Sequence, residues 1–279
     1  MSGFFDSNRS LSEGQRGDEL PEELRFKQGR LSRIKEAKEV LEREAREQAE
    51  QERLEQEKKR QDREASGEHR GRPPKAPLEK PDGKAQYNFT DPESRIMKNS
   101  ATKSFEQSYN CQVAVDGHCQ VIVATGVSQE ANDKGELKPV VERLKVNLEG
   151  AKPGRMTTDS GYFSEGNLAY LSQEQIDGYL ATARIKHGDQ PLPVPRGRIP
   201  QDASLKERMG RKLRTIKGRA IYAKRKEISE PVFGQIKQVR GFRQFLLRGL
   251  RKVSAEWDLI CLGHNVLKLF RSNWRPATA

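Results

Sequence analysis

Three acidic residues occupy positions from which a folded chain could bring them together. Asp91 ends a short aromatic run, Asp159 ends a β-prone segment before a Ser-Gly turn, and Glu230 precedes a proline in a basic stretch. In α/β sheets, ligands collect at the carboxyl ends of strands, and convergent carboxylates need cations between them. Mg²⁺ and Mn²⁺ prefer such oxygen ligands. The three acids could therefore hold two ions that act on a phosphodiester.

Each acid also has an ordinary structural explanation. Asp91 and Asp159 precede turn-forming residues and could serve as turn residues. Glu230 could be a charge at a helix N-terminus, stabilised by the helix dipole. Two further acids compete with Asp91 for the first position: Asp116 ends a strand but suits a hairpin turn, and Asp133 suits a helix N-terminus. These readings stay open at the level of sequence.

The segment around Glu230 has helical spacing. At about 100° per residue, one side of the helix carries the apolar residues Val232, Phe233, Ile236 and Val239. Glu230 and Lys237 fall on the other side, two turns apart. Because Pro231 disfavours a helical conformation at the residue before it, we expect the helix to begin at Glu230.

The elements that must position these residues follow from hydrophobic periodicity. The pattern predicts strands at 87–91, 109–116, 119–128, about 154–159 and 177–185, and helices at 134–148, 165–175, from 229 onward and at 254–270. The last helix is apolar nearly all round, so we expect it to be buried. The order β-β-β-α-β-α-β predicts an α/β fold, a mixed five-stranded sheet with flanking helices.

Composition divides the chain into four parts. We expect a disordered N-terminus over 1–20, a charged helix or weak coiled coil over 21–65, a Pro/Gly-rich linker over 66–85, and the sheet domain over 86–279 with a basic insertion at about 187–222. The opposite charges at i,i+4 in the helix indicate local pairing rather than a large buried face.

Charge is segregated along the chain. The net charge is +12, and residues 201–279 hold 19 Lys and Arg against 6 Asp and Glu, so the whole positive excess lies there. Such an end favours a polyanionic partner, nucleic acid before membrane. Three cysteines without metal or disulfide spacing fit a reducing compartment. The sequence shows neither a signal peptide nor a long apolar run, so we expect a cytoplasmic protein without membrane contact.

Four stretches resemble the DDE transposases of bacterial insertion sequences. They are "TDPESRIM", "YNCQVAVD", "TTDSGYFSEGN" and "EPVFGQIKQVRGFRQFLLRG", and the resemblance extends over about residues 20–272. It implies a ribonuclease H-like catalytic domain, here preceded by the long charged helix. It also implies that Asp91, Asp159 and Glu230 are the metal-binding triad for two Mg²⁺ or Mn²⁺ ions.

The same resemblance implies DNA-binding residues. Tyr222, Arg225 and Lys237 match the Tyr-Arg-Glu-Lys signature of the family, whose basic members contact DNA phosphates. Four residues separate Arg225 from Glu230 where the common spacing is three, so Lys226 is the in-register alternative. Two further arginines of the trailing basic motif are expected to bind DNA as well, Arg240 and Arg243.

The implied activity is metal-dependent cleavage and strand transfer at insertion-sequence ends. The partners would be double-stranded DNA, as transposon ends and target, and a second copy in a homodimer. Only 90 residues precede Asp91, fewer than the family usually carries, so the chain resembles the C-terminal part of a longer transposase. One alternative is an inactive DNA-binding remnant, and another is a coiled-coil interaction protein that works through residues 21–65.

Overall fold

The computed structural model of the chain describes residues 3–6, 26–66, 75–99, 103–183 and 192–272. The chain divides into two compact units. One comprises Met1–Gly17 with Glu93–Ala279, and the other Asp18–Pro92. Apart from residues 3–6, the N-terminal segment 1–20 lies outside the described residues, so its predicted disorder stays a prediction.

The unit Asp18–Pro92 is built on one long helix, α1 (Lys27–Ser66). Its charged side chains pair locally, as in Lys59–Glu55 at 3.3 Å. One stretch of α1 and two aromatic residues, Tyr87 and Phe89, line the same pocket. The two rings meet edge to face with centroids 5.4 Å apart. The helix is therefore paired along its surface and also adjoins a small apolar patch.

The predicted strand at 87–91 is wrong. The amide of Thr90 donates to the Asn88 side-chain oxygen at 2.9 Å, which closes a local turn of the kind that asparagine favours. That turn, followed by Pro92, prevents an extended run despite the aromatic residues.

The larger unit contains a four-stranded sheet centred on one long strand. Its strands are β1 (Gly3–Asp6), β2 (Arg95–Lys98), β3 (Phe105–Val115) and β4 (Ile122–Ser128). All three shorter strands run antiparallel to β3. The predicted hairpin of β3 and β4 is confirmed. Asp116 lies in its turn and accepts hydrogen bonds from the amides of His118 and Cys119 at 3.0 and 2.7 Å.

A second sheet has two parallel strands, β5 (Arg155–Thr158) and β6 (Asp177–Leu180). They are joined through α3 (Glu165–Gln173), and α2 (Leu137–Asn147) precedes them. The mixed α/β class is thus confirmed. The described strands fall into two sheets, so a single five-stranded ribonuclease H-like sheet is not confirmed.

Helices from the C-terminal third cover these sheets. They are α4 (Leu205–Arg214), α5 (Ile216–Gly234), a π-helical turn over Gln235–Val239, and α6 (Leu250–Arg271). The main core lies between β3 and these helices, with Phe233 and Phe245 packed on Trp257. Among the described helices, none is long and apolar enough to cross a membrane.

The expectation that the final helix is wholly buried is wrong. Five apolar residues of α6 are largely exposed, namely Leu259, Leu262, Val266, Leu269 and Phe270. A helix lying against a sheet buries only the stripe that faces it. That stripe on α6 includes Val253, Trp257 and Ile260.

The predicted helix start at Glu230 is also wrong. Helix α5 begins at Ile216, capped by Thr215, and Pro231 lies inside it. A proline has no N–H to donate to the carbonyl four residues earlier. Here the Gln120 side chain donates to that carbonyl, the oxygen of Glu227, at 2.8 Å. The long-range hydrogen bond supplies the donor that Pro231 lacks, so the helix continues through it.

Candidate active site

Asp159 lies directly after β5 and begins a tight turn. Its Oδ1 accepts a hydrogen bond from the Gly161 amide at 2.9 Å, which opens a short 3₁₀ helix over Ser160–Tyr162. The side chain is half-buried. Its second oxygen accepts no hydrogen bond from the described residues. Asp159 therefore offers a fixed carboxylate with one oxygen available to a ligand, as the sequence predicted for the end of this strand.

Helix α5 places Tyr222 where the charges of Arg225 and Asp159 both act on it. Burial raises the pKa of the Tyr222 phenol, the Arg225 charge opposes this, and the Asp159 carboxylate raises the pKa further. The guanidinium of Arg225 lies 5.5 Å from the Tyr222 ring centroid. Two of its buried nitrogens, Nε and Nη1, have no hydrogen-bond partner among the described residues. A planar cation with unused donors suits an oxyanion such as a phosphate.

Glu230 lies on α5 eight residues after Tyr222, which is about 12 Å along the helix axis. Its side chain is exposed and makes no hydrogen bond or ion pair with any described residue. Because Glu230 lies well inside the helix, stabilisation by the dipole at a helix N-terminus does not explain it. The structure thus removes the main structural explanation for this acid.

The two lysines of the predicted DNA-binding set differ in environment. Lys226 is exposed and forms no ion pair with a described residue. Lys237 is half-buried, with its ammonium 5.7 Å from the Phe233 ring centroid, and burial lowers its pKa. Lys237 lies in the π-helical turn, whose wider hydrogen-bonding pattern changes the residue spacing. The predicted common face of Lys237 and Glu230 therefore stays a prediction.

The two arginines after α5 make structural contacts. Arg240 donates to the backbone oxygen of Ile260 at 2.8 Å and lies against the Phe242 ring. Arg243 donates to the backbone oxygen of Lys237 at 3.3 Å and to the Gln238 side chain. These bonds fix the loop between α5 and α6. Binding of DNA by Arg240 or Arg243 stays a prediction.

The basic segment 187–222 is described from residue 192. Lys212 binds two residues of β6. Its ammonium lies 2.5 Å from the Asp177 carboxylate and over the Tyr179 ring. Lys206, Lys217 and Lys224 are exposed, and none forms an ion pair with a described residue. These three lysines present unneutralised positive charge on α4 and α5, as a phosphate-binding surface requires.

The other candidate acids have different positions. Asp91 is buried and belongs to the unit Asp18–Pro92, so its role as the first acid stays a prediction. Asp133, a rival for that role, lies beside the Asp159 turn. A Cβ placed on Gly161 would lie 2.5 Å from Asp133 Oδ2 and 3.1 Å from Asp159 Oδ1. Asp116 is the turn residue described above.

Divalent ions such as Mg²⁺ require several oxygen ligands close together. Within the described ranges, no three or more His, Cys, Asp or Glu side chains are grouped to hold a metal ion. Asp159 has the right chemistry for one ligand, with an available oxygen and a turn that fixes it. The binding of metal ions by Asp91, Asp159 and Glu230 therefore stays a prediction.

Sequence reasoning overlooked a polar group behind Asp159. Asn110, Gln112 and Tyr162 are buried and linked to one another or to Asp133 by hydrogen bonds. The available signal was two amide side chains at alternating positions of an otherwise apolar strand, since residues two apart on a strand share a face.

One segment of the chain is similar to a known protein family. Residues 197–270 match a family model described as "Transposase DDE domain". No curated protein and no solved structure gave a match. The matched segment contains α4, α5 and nearly all of α6, and with them Tyr222, Arg225 and Glu230. The resemblance to DDE transposases is thereby confirmed, and it is residues 197–270 that are similar to a transposase DDE domain.

Proposed function

We propose that this chain catalyses metal-dependent DNA cleavage and strand transfer at insertion-sequence ends. The observation that carries the proposal is the contact of Tyr222 with the guanidinium of Arg225, two of whose nitrogens have no hydrogen-bond partner among the described residues, within electrostatic range of the Asp159 carboxylate. A carboxylate for a cation next to donors for a phosphate is what phosphodiester chemistry needs. Two of these three residues lie within the matched DDE segment.

The proposed roles follow from the chemistry of each side chain. Asp91, Asp159 and Glu230 would hold two Mg²⁺ or Mn²⁺ ions, which supply an activated nucleophile and neutralise charge on the leaving oxygen. The nucleophile would be water for cleavage and a 3′-hydroxyl for strand transfer. Arg225 would contribute its positive charge to phosphate binding, with Tyr222 packed against its guanidinium.

Lys226 extends this surface. It lies four residues before Glu230, on the same side of α5, and both side chains are exposed. Lys226 would bind the DNA backbone next to Glu230, and the exposed lysines of α4 and α5 would extend the contact. The family match supports DNA as the partner; homodimer formation and a cytoplasmic location stay predictions.

The test is a nicking assay on supercoiled DNA with Mg²⁺ or Mn²⁺. We expect Asp159→Asn and Glu230→Gln to lower the rate by more than about 100-fold, the upper range for losing even an outer partner of a metal site. Glu227→Gln is the matched control, because Glu227 is an equally exposed acid on the same helix. Its rate should equal that of the wild type.

Two outcomes would contradict the proposal. Metal-dependent nicking that persists in both Asp159→Asn and Glu230→Gln would exclude these acids from the chemistry. Salt-sensitive DNA binding by the wild type without any nicking would instead indicate the inactive DNA-binding remnant.

A further inference from the structure

A buried polar cluster lies directly behind the Asp159 turn. We call it the Asp133 cluster; it consists of Asn110, Gln112, Asp133 and Tyr162. Asp133 Oδ1 accepts hydrogen bonds from the side-chain amides of Asn110 and Gln112 at 2.8 and 2.9 Å. The Gln112 side-chain oxygen accepts a hydrogen bond from the Tyr162 hydroxyl. All four residues are buried, so the cluster is a defined part of the core.

The cluster reaches Asp159 through Gly161. The Gly161 amide holds Asp159 Oδ1, and a Cβ on Gly161 would collide with Asp133 Oδ2 at 2.5 Å. The same Cβ would lie 3.1 Å from Asp159 Oδ1. The carboxylate of Asp133 thus packs against the backbone of the residue that fixes Asp159. Because interiors are close-packed, a shift of Asp133 toward Gly161 would press on this turn.

The electrostatic arrangement of Asp133 is unusual for a buried acid. Its hydrogen-bond donors are neutral amides, and it forms no ion pair with any described residue. A buried carboxylate without a cation is costly to keep charged. A purely structural role would be met by an uncharged side chain of the same shape. Asp133 lies next to the turn that holds Asp159, so its negative charge would attract a cation to Asp159.

We propose that Asp133 is a positioning residue for Asp159, a proposal that rests on the function proposed above. Asp133 holds the 159–162 turn through its contact with Gly161 and strengthens cation binding at Asp159 without ligating the ion. Asp133 Oδ1 accepts two amide donors, and Oδ2 lies toward Gly161. Partners of this outer kind typically change metal affinity by about 10–100-fold.

Mn²⁺ binding to the full-length protein tests the electrostatic half of the proposal. Binding is followed by electron paramagnetic resonance of free Mn²⁺, with thermal melting to confirm folding. We expect Asp133→Asn to weaken binding by roughly 10-fold or more, and the matched turn variant Asp116→Asn to have no effect. Unchanged affinity in Asp133→Asn, alongside loss in Asp159→Asn, would overturn the role of Asp133 while leaving the proposed function intact.

Hydrogen–deuterium exchange of the peptide 156–163 tests the positional half without any metal. Asp133→Ala should increase deuterium uptake there, because it removes the side-chain atoms that pack against Gly161. If Asp159→Asn leaves Mn²⁺ binding unchanged, the metal function fails, and this exchange then decides about Asp133 alone. Wild-type uptake in Asp133→Ala would overturn the positioning role.

A second pair of variants distinguishes a loss of the Asp133–Gly161 contact from general misfolding. Gly161→Ala introduces the colliding Cβ and keeps the Asp133 carboxylate, whereas Asp133→Ala removes the atoms it would strike. We expect Gly161→Ala to raise uptake strongly in the wild type and only weakly in the Asp133→Ala background. Equal effects in both backgrounds would show that the contact between the two residues is not transmitted to the turn.

Discussion

Helix α5 carries Glu230 through an internal proline, and this predicts a measurable coupling between Gln120 and Pro231. Gln120 Nε2 donates to the carbonyl that Pro231 leaves without a helical partner. Replacing Gln120 by alanine removes this hydrogen bond from an exposed carbonyl, which costs about 0.5–1.5 kcal/mol of unfolding free energy. Pro231→Ala restores a backbone N–H that can bond the same oxygen.

The loss caused by Gln120→Ala should therefore be smaller when Pro231 is already alanine. Residues that share one partner couple by about 0.5–3 kcal/mol, and we expect about 1 kcal/mol here, the net value of one hydrogen bond. The double variant should remain folded, because removing a proline from a helix interior favours the helix by up to about 3 kcal/mol.

Urea denaturation followed by tryptophan fluorescence measures these values. Trp257 is fully buried in the core that α5 covers, and a Trp274→Phe background makes it the sole reporter. Lys268→Met is the control: it removes the other bond of the Gln120 side chain, the 2.7 Å contact to Oε1, and should not couple to Pro231→Ala. Equal costs of Gln120→Ala in both backgrounds would refute the proposed compensation.

Two further predictions concern the junction of α4, α5 and β6. A Cβ on Gly218 would lie 2.0 Å from the backbone oxygen of Lys212, whereas a Cβ on Gly234 would have no atom within 4 Å. Gly218→Ala should therefore lower the melting temperature by several degrees. Gly234→Ala, the control in the same helix, should not lower it. For Asp177, burial raises the pKa, but the hydrogen bond and charge of Lys212 prevail and lower it overall. A lowered pKa stabilises the fold above the unfolded value near 3.9, and this stability is lost as the pH falls through the folded pKa. The melting-temperature difference between wild type and Lys212→Met should therefore shrink below about pH 4, and a constant difference would contradict the ion pair.

Local chemistry made part of the fold predictable. The β3–β4 hairpin follows from two alternating segments around a glycine turn, and its Asp116 hydrogen bonds are those expected of an aspartate in a turn. The position of Asp159 at the end of β5 likewise follows from a β-prone run broken by Ser-Gly. In both cases the determining residues are neighbours in sequence, so the pattern carries the information.

Two of the errors have a common physical origin. The rule that proline disfavours a helix at the preceding residue is sound, but Gln120, 107 residues before Glu227, supplies the donor that Pro231 lacks. The role of Asp133 was likewise hidden, because its partners Asn110 and Gln112 are more than 20 residues away. Where distant side chains satisfy a local deficit, sequence periodicity cannot show it.

This difference changes the argument about Glu230. At a helix start, the acid would be stabilised by the dipole and would need no ligand. Inside α5 it has no such support, and Lys226, which is suitably spaced for an i,i+4 pair, forms no ion pair with it. An acid and a base that stay apart on one exposed face are each available to an external partner. This face of the helix also includes Tyr222, whose pKa is raised in part by the Asp159 carboxylate. A bound DNA backbone with divalent ions would engage both charges, whereas the protein itself engages neither.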